Sequence, residues 1–194
     1  ILSIFVLTGD AVKTNILSIQ MLPNADPMLL ARLKVPDGHR SLGFITTDCD
    51  DVSYAALDEA TKKANVQVAY AKSMYAGSGN ASTKLAGEFI GVLSGENPAE
   101  VRSGLEAAAR YAREDAFFYS ANEDDSIVYF AQCISRTGSY LSGEANVPEG
   151  TAMSYLIAPP MEAMIGLDAA VKAAEVELKV FYGPPTETNF AGGL

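Results

Sequence analysis

The chain has no tryptophan, a single histidine and two cysteines, and its 14 Lys and Arg are outnumbered by 24 Asp and Glu. Each shortage removes a class of function. The sequence shows no Ser-His-Asp set around its one histidine, and His39 has no metal-ligand spacing around it, so a turn or surface role is expected there and the case for an enzyme is poor. A net charge of -10 does not supply the cationic face that phosphate binding needs, which argues against nucleic acid and for cationic or neutral partners. Cys49 and Cys133 lack CxxC spacing and are too few for a disulfide framework, so a reducing, cytoplasmic setting is the simplest reading. The apolar start Ile1 to Leu7 is far shorter than the roughly twenty residues of a membrane span and lacks the cationic start of a signal peptide. It begins on Ile rather than Met and is given little weight.

What the chain does contain is one unit written twice. Val35-Pro36-Asp37-Gly38 returns as Val147-Pro148-Glu149-Gly150, at an offset of 112. The helical stretch Leu57 to Val66 returns as Leu167 to Val176, at an offset of 110 and with six of ten positions identical. A tandem duplication of two units of about a hundred residues each follows, and paired similar surfaces favour pseudo-symmetric assembly. The expected division is an N-terminal segment of uncertain role (1–14), a first domain (15–114) and a second (115–194).

In the first copy the pattern predicts a strand at Ile16 to Met21 and a short helix at Asp26 to Leu33, with Asp26 as N-cap and Pro27 at the first helical position. A strand at Ser41 to Thr46 follows, then a helix from Asp51 with Tyr54, Leu57 and Ala64 on one face. Next come a strand at Val66 to Tyr70, a loop or hairpin at Ser73 to Lys84 and a strand at Leu85 to Leu93. A last helix opens on Asn97-Pro98-Ala99-Glu100, a capping-box pattern. The second copy repeats this order: strand Ile127 to Ile134, turn Val147 to Gly150, strand Ser154 to Ala158, helix from Met161, strand Val176 to Tyr182. By the same count it lacks its C-terminal helix, which would leave one face uncovered.

The copies differ where the offset falls from 112 to 110, at Asp48-Cys49-Asp50-Asp51, which faces Pro159-Pro160-Met161. Acids at a helix N-terminus are favourable capping charges in their own right. They are also candidates for a binding site, with Asp48 and Asp50 in the loop before the helix. Glu88, charged within a strand, either alternates out to solvent or points into a cleft near Asp50, where two carboxylates would converge on one cation. Phe117-Phe118 either belongs to the core or walls that cleft. Gly77 to Lys84 lacks the spacing of a phosphate loop, and Ser135 to Ser139 reads as a turn.

The strings Ser41-Leu42-Gly43-Phe44-Ile45, Asp50-Asp51-Val52-Ser53-Tyr54, Ser73-Met74-Tyr75-Ala76-Gly77, Ser135-Arg136-Thr137-Gly138-Ser139-Tyr140 and Pro185-Thr186-Glu187-Thr188-Asn189-Phe190 closely resemble a family of shell proteins from ethanolamine-utilisation bacterial microcompartments. The resemblance covers about Asn15 to Leu194; Ile1 to Asp10 lies outside it. It implies an α/β fold (an α+β sandwich) made of two circularly permuted bacterial-microcompartment domains, and a homotrimer forming a pseudohexameric tile beside other shell proteins. It implies a central pore that opens and closes, and small pores that bind ethanolamine through Asp50, Glu88 and the main chain near Phe117 or Phe118. Asp48, Cys49, Asp51 and Tyr75 are then pore or gate loop candidates. Cobalamin or a metal ion at the central pore is a further implication, to which no residue is assigned. A small cation bearing a hydroxyl suits carboxylates beside an aromatic wall. Two other readings remain: a regulatory protein sensing a small molecule between its repeats, and a hydrolase whose Asp50 and Glu88 face each other across a substrate.

Overall fold

The structure is a computed structural model that describes residues 9–74, 88–183 and 190–194. The first unit runs β1 (Ala11–Val12), β2 (Ile16–Leu22), α1 (Pro27–Arg32), β3 (Ser41–Thr47), α2 (Asp50–Lys63), β4 (Gln67–Met74), β5 (Glu88–Gly95) and α3 (Pro98–Glu114). The second runs β6 (Phe118–Ser120), β7 (Val128–Ile134), α4 (Ser139–Glu144), β8 (Met153–Ala158), α5 (Pro160–Ala173), β9 (Phe181–Tyr182) and β10 (Ala191–Gly193).

Two antiparallel sheets repeat one strand order. The first is β2-β3-β5-β4, and the second carries β7-β8-β10-β9 with β6 and β1 added beyond β7. The N-terminal segment therefore contributes β1 to the second unit's sheet, through Val12 opposite Phe118. Even the backbone exceptions recur at the 112 offset: Lys34 (φ 54) with Asn146 (φ 50), and Gly38 (φ 91) with Gly150 (φ 89). The glycines relieve the strain that a side chain would meet there.

Local chemistry explains the helices. Asp26 caps α1 by accepting from Met28 N at 2.8 Å, and Asn97 caps α3 by accepting from Ala99 N and Glu100 N at 3.0 Å each. Glu100 does not close the capping box; its carboxylate takes the Asn65 N–H at 2.7 Å instead and ties α3 to the exit of α2. In α2, Asp50 and Asp51 in the first turn and Lys62 and Lys63 in the last complement the helix dipole. Helices α2 and α3 lie side by side on the first sheet. Close approach is set by small residues: a Cβ at Gly43 would sit 2.6 Å from Val101 Cγ1, and one at Gly91 would sit 2.9 Å from Leu57 Cδ1.

Three expectations change. Ser135 to Ser139 leads into a helix, α4, because an acceptor from the other unit caps it. The strand expected at Val176 to Tyr182 shrinks to β9, since β10, its neighbour, is three residues long. Asp50 lies in the first turn of α2 rather than in a loop, with Cys49 as the extended N-cap. Tyr75, most of the Ser73 to Lys84 loop, Leu85 and Ile1 to Leu7 fall outside the described residues.

One apolar core joins the units, holding Leu57, Phe89 and Val101 from the first with Phe130, Tyr155 and Ile157 from the second. The joint itself is polar. Fully buried Asp58 on α2 accepts from Gly138 N and Leu141 N at 2.8 Å each, which caps α4 from across the joint. Thr61 Oγ1 accepts from Ser139 N (3.1 Å), Lys62 Nζ donates to Arg136 O (3.1 Å), and Tyr54 stacks on Tyr140 with centroids 6.3 Å apart.

Candidate functional site

The first turn of α2 ends against the second unit, and a cleft of about 400 Å³ opens there. Its wall on the first unit is Asp50, Asp51, Tyr54 and Ala71; across from them stand Tyr140, Leu141, Glu144, Tyr155, Ile157, Tyr182 and Phe190. Three carboxylates and four phenols face it, and no Lys or Arg is among the described residues lining it. A wider groove of about 550 Å³ between β2 and α3 has Ile19, Met21, Leu105 and Ala109 along its floor and the exposed Arg102, Glu106, Arg110, Arg113 and Glu114 along α3.

The acidic insert is held in place by hydrogen bonds at the start of the helix. Thr47 Oγ1 and Ser53 Oγ both donate to Cys49 O (3.0 and 2.6 Å), which fixes the β3–α2 corner. Asp51 N donates to Asp50 Oδ1 at 2.9 Å, and Tyr155 OH donates to Asp51 Oδ1 at 2.5 Å across the joint. Both carboxyls are pushed up from their ordinary range. Burial is the main cause for each, and for Asp51 the neighbouring charge of Asp50 adds to it. Tyr155 is pushed well up by burial and then by Asp51, and Tyr182 is raised to about 12 by burial and the same carboxylate. A cation entering the cleft would reverse these shifts, because it supplies the charge the carboxylates lack.

The residues singled out from the sequence separate in space. Asp50 and Asp51 both reach the cleft. Asp48 does not; Asn15 holds it through N–H and Nδ2 bonds of 2.7 Å each. Cys49 is fully buried, its thiol raised by burial and then by Asp51, so Asp48 to Asp51 form a packed corner rather than a loose gate. Glu88 is half-buried at the start of β5, opposite Met74. Phe118 is fully buried and stacks on Phe130 (5.3 Å); it meets Phe190 edge to face (6.1 Å), so it backs the aromatic wall that Phe190 presents. Phe117 is half-buried just before β6.

Sequence reasoning missed Tyr140, Glu144, Tyr155 and Tyr182, and read Tyr54 as a core residue. No spacing links them, since they come from four elements of both units. Among the described residues no three His, Cys, Asp or Glu side chains gather as a metal site, and His39 is engaged with Ser94 Oγ at 3.0 Å.

Comparison with known proteins gives the architecture its relatives. The family model of the BMC domain matches residues 41–122, from β3 through β6, so it opens on the second strand of the first sheet and closes on a strand of the other. The chain is 60% identical over 188 residues to the bacterial microcompartment shell protein EutL of Clostridium perfringens, covering 97% of this chain and 87% of that one. It is 43% identical over 185 residues to EutL of Salmonella typhimurium, covering 95% and 84%. The crystal structure of the ethanolamine utilization protein EutL from Leptotrichia buccalis superposes with a TM-score of 0.89 at 61% identity, covering 95% and 85%.

Proposed function

The chain belongs to the EutL family of bacterial microcompartment shell proteins, and from that premise we propose that three copies close into a pseudohexameric tile whose inter-unit clefts bind protonated ethanolamine. It is a structural protein of the shell, not an enzyme. The binding reading rests on one observation: a buried carboxylate pair, Asp50 and Asp51, faces phenols and an aromatic wall, with no Lys or Arg among the described residues that line the cleft. The ammonium sits against the carboxylates, Asp50 first. The hydroxyl finds donors and acceptors among Tyr54, Tyr140 and Tyr182, and Phe190, backed by Phe118, excludes water. The family resemblance adds Glu88 and the main chain near Phe117 or Phe118 to the site, although none of the three lines the cleft itself.

The trimer is supported by the duplication. Two units of one strand order and one joint per chain form a six-membered ring when three chains close head to tail. The ligand touches α2 of one unit and α4 and β8 of the other, so it favours the setting of the units that makes both sets of contacts. That is a population shift, and it couples the cleft to the opening of the central pore. Titration calorimetry with ethanolamine tests the site. Asp50→Asn is expected to weaken binding by about tenfold or more, roughly 1.4 kcal/mol, and 1-propanol, which lacks the amine, should not bind. Parent-like affinity in Asp50→Asn would remove the cleft from the proposal.

A further inference from the structure

Asp50 and Asp51 keep only 8% and 7% of their surface exposed, and no Lys or Arg is among the described residues that line their cleft. Two neighbouring charges out of water and without a counter-ion are costly, and such a pair relieves the cost by keeping one proton. The surroundings say where that proton sits. Asp50 is ringed by donors: the Asp51 N–H at 2.9 Å, the buried Ser73 hydroxyl, which has no other partner, and the Asp51 carboxyl itself. Asp51 has one donor beyond the pair, the Tyr155 hydroxyl. A hydrogen bond between two carboxyls needs a proton on one of them, and the carboxyl with fewer donors around it is the one that gives.

The other titratable groups around the pair do nothing to hold a second charge there. Tyr54 on α2, Tyr140 on α4, Tyr155 on β8 and Tyr182 on β9 are all pushed up by burial, so the phenols stay neutral and serve as donors. The Cys49 thiol at the start of α2 is pushed up in the same way. On β4, Ala71 and Ser73 face the pair, and Lys72 between them points the other way and is exposed. Glu144 on α4 is exposed at the rim, Asp48 is tied to Asn15, and Glu88 starts β5 opposite Met74. These three are carboxyls themselves and supply no counter-charge.

We propose that Asp50 and Asp51 share one proton, seated on Asp51 both before and after a ligand enters, so that the cleft is a single-charge site that takes monocations. Asp51 is then a positioning residue. It donates to Asp50 and accepts from Tyr155, and so fixes the charged carboxylate against the second unit. An entering ammonium is matched by Asp50 alone. It loosens the hold of both carboxyls on protons, as an opposite charge must, but ionising Asp51 as well would leave one charge unbalanced out of water. A divalent metal ion, which draws several charged oxygens around it, finds only one at this depth.

The ligand part rests on the ethanolamine reading, and the test keeps the two apart. Infrared difference spectra at pH 7 should show the carbonyl stretch of a protonated carboxylic acid in the parent. It should be lost in Asp51→Asn and kept in Asp50→Asn, where burial still holds the proton. A parent without the band, or its loss from Asp50→Asn, overturns the seat on Asp51. Saturating ethanolamine should leave the band in place, and the heat of binding at pH 7 should agree between two buffers of different ionisation enthalpy. Millimolar calcium should not displace the ligand. A band erased by ethanolamine, a heat that tracks the buffer by about one proton per site, or displacement by calcium overturns the single charge and leaves the cleft as the ethanolamine site. If the parent binds no ethanolamine, the proposed function falls, and the band alone decides the proton.

Discussion

Ionising Asp51 places a charge beside Asp50 and against the Tyr155 hydroxyl, where burial keeps water away. Its folded pKa lies above the unfolded value, so the folded state holds its proton more tightly. The stabilising contribution is complete below the ordinary carboxyl range near pH ~4 and is lost as pH rises through the raised value. Asp51→Asn, which keeps an acceptor for Tyr155, should therefore melt higher than the parent at pH 8 and lose that advantage at pH 4; an advantage equal at both would contradict the assignment. At this scale the sequence showed where to look but not what each residue does. The insert stood out because it breaks the repeat. That Asp48 turns to Asn15, Cys49 to the core and Asp50 and Asp51 to the cleft follows from the corner geometry set by Thr47 and Ser53. Nor could the Phe117-Phe118 pair announce that its second ring would stand behind Phe190.

Helices with local caps were legible as elements. Asp26 and Asn97, each followed by Pro, are signals contained within four residues, and both helices start where they predict. Helix α4 was not, because Ser135 to Ser139 reads as a turn and its cap comes from Asp58, 80 positions before Gly138. The repeat turns this into a controlled experiment. Asp58→Ala leaves two buried N–H groups without an acceptor and should cost about 2–4 kcal/mol in chemical denaturation, with amide exchange rising first at Gly138 and Leu141. Asp168→Ala, the counterpart change, removes only an exposed ion pair to Lys172 and should stay within about 0.5 kcal/mol. Equal losses at the two sites would mean that Asp58 does not hold the joint.

Across the whole molecule, the duplication sets what assembly can look like. Two units with the same sheet order, one joint closed inside the chain and a second pair of faces left open, suit extended tiling better than an isolated particle. Purified protein should form flat sheets or tubes under the electron microscope as concentration rises. Discrete particles at every concentration would favour the regulatory-sensor reading instead. The sequence by itself determined the repeat, the locally capped helices, the acidic character and the site of the insert, because each depends on residues near one another in the chain or on simple counting. The tertiary structure alone decided which side chains share the cleft and which faces stay uncovered. Asp50 and Phe190 are distant in sequence and line one cleft only because α2, packed on the first sheet, also meets α4 and Tyr155 of the second unit. A site built at the seam between two copies of one unit has no local signature, since its walls are chosen by packing rather than by spacing.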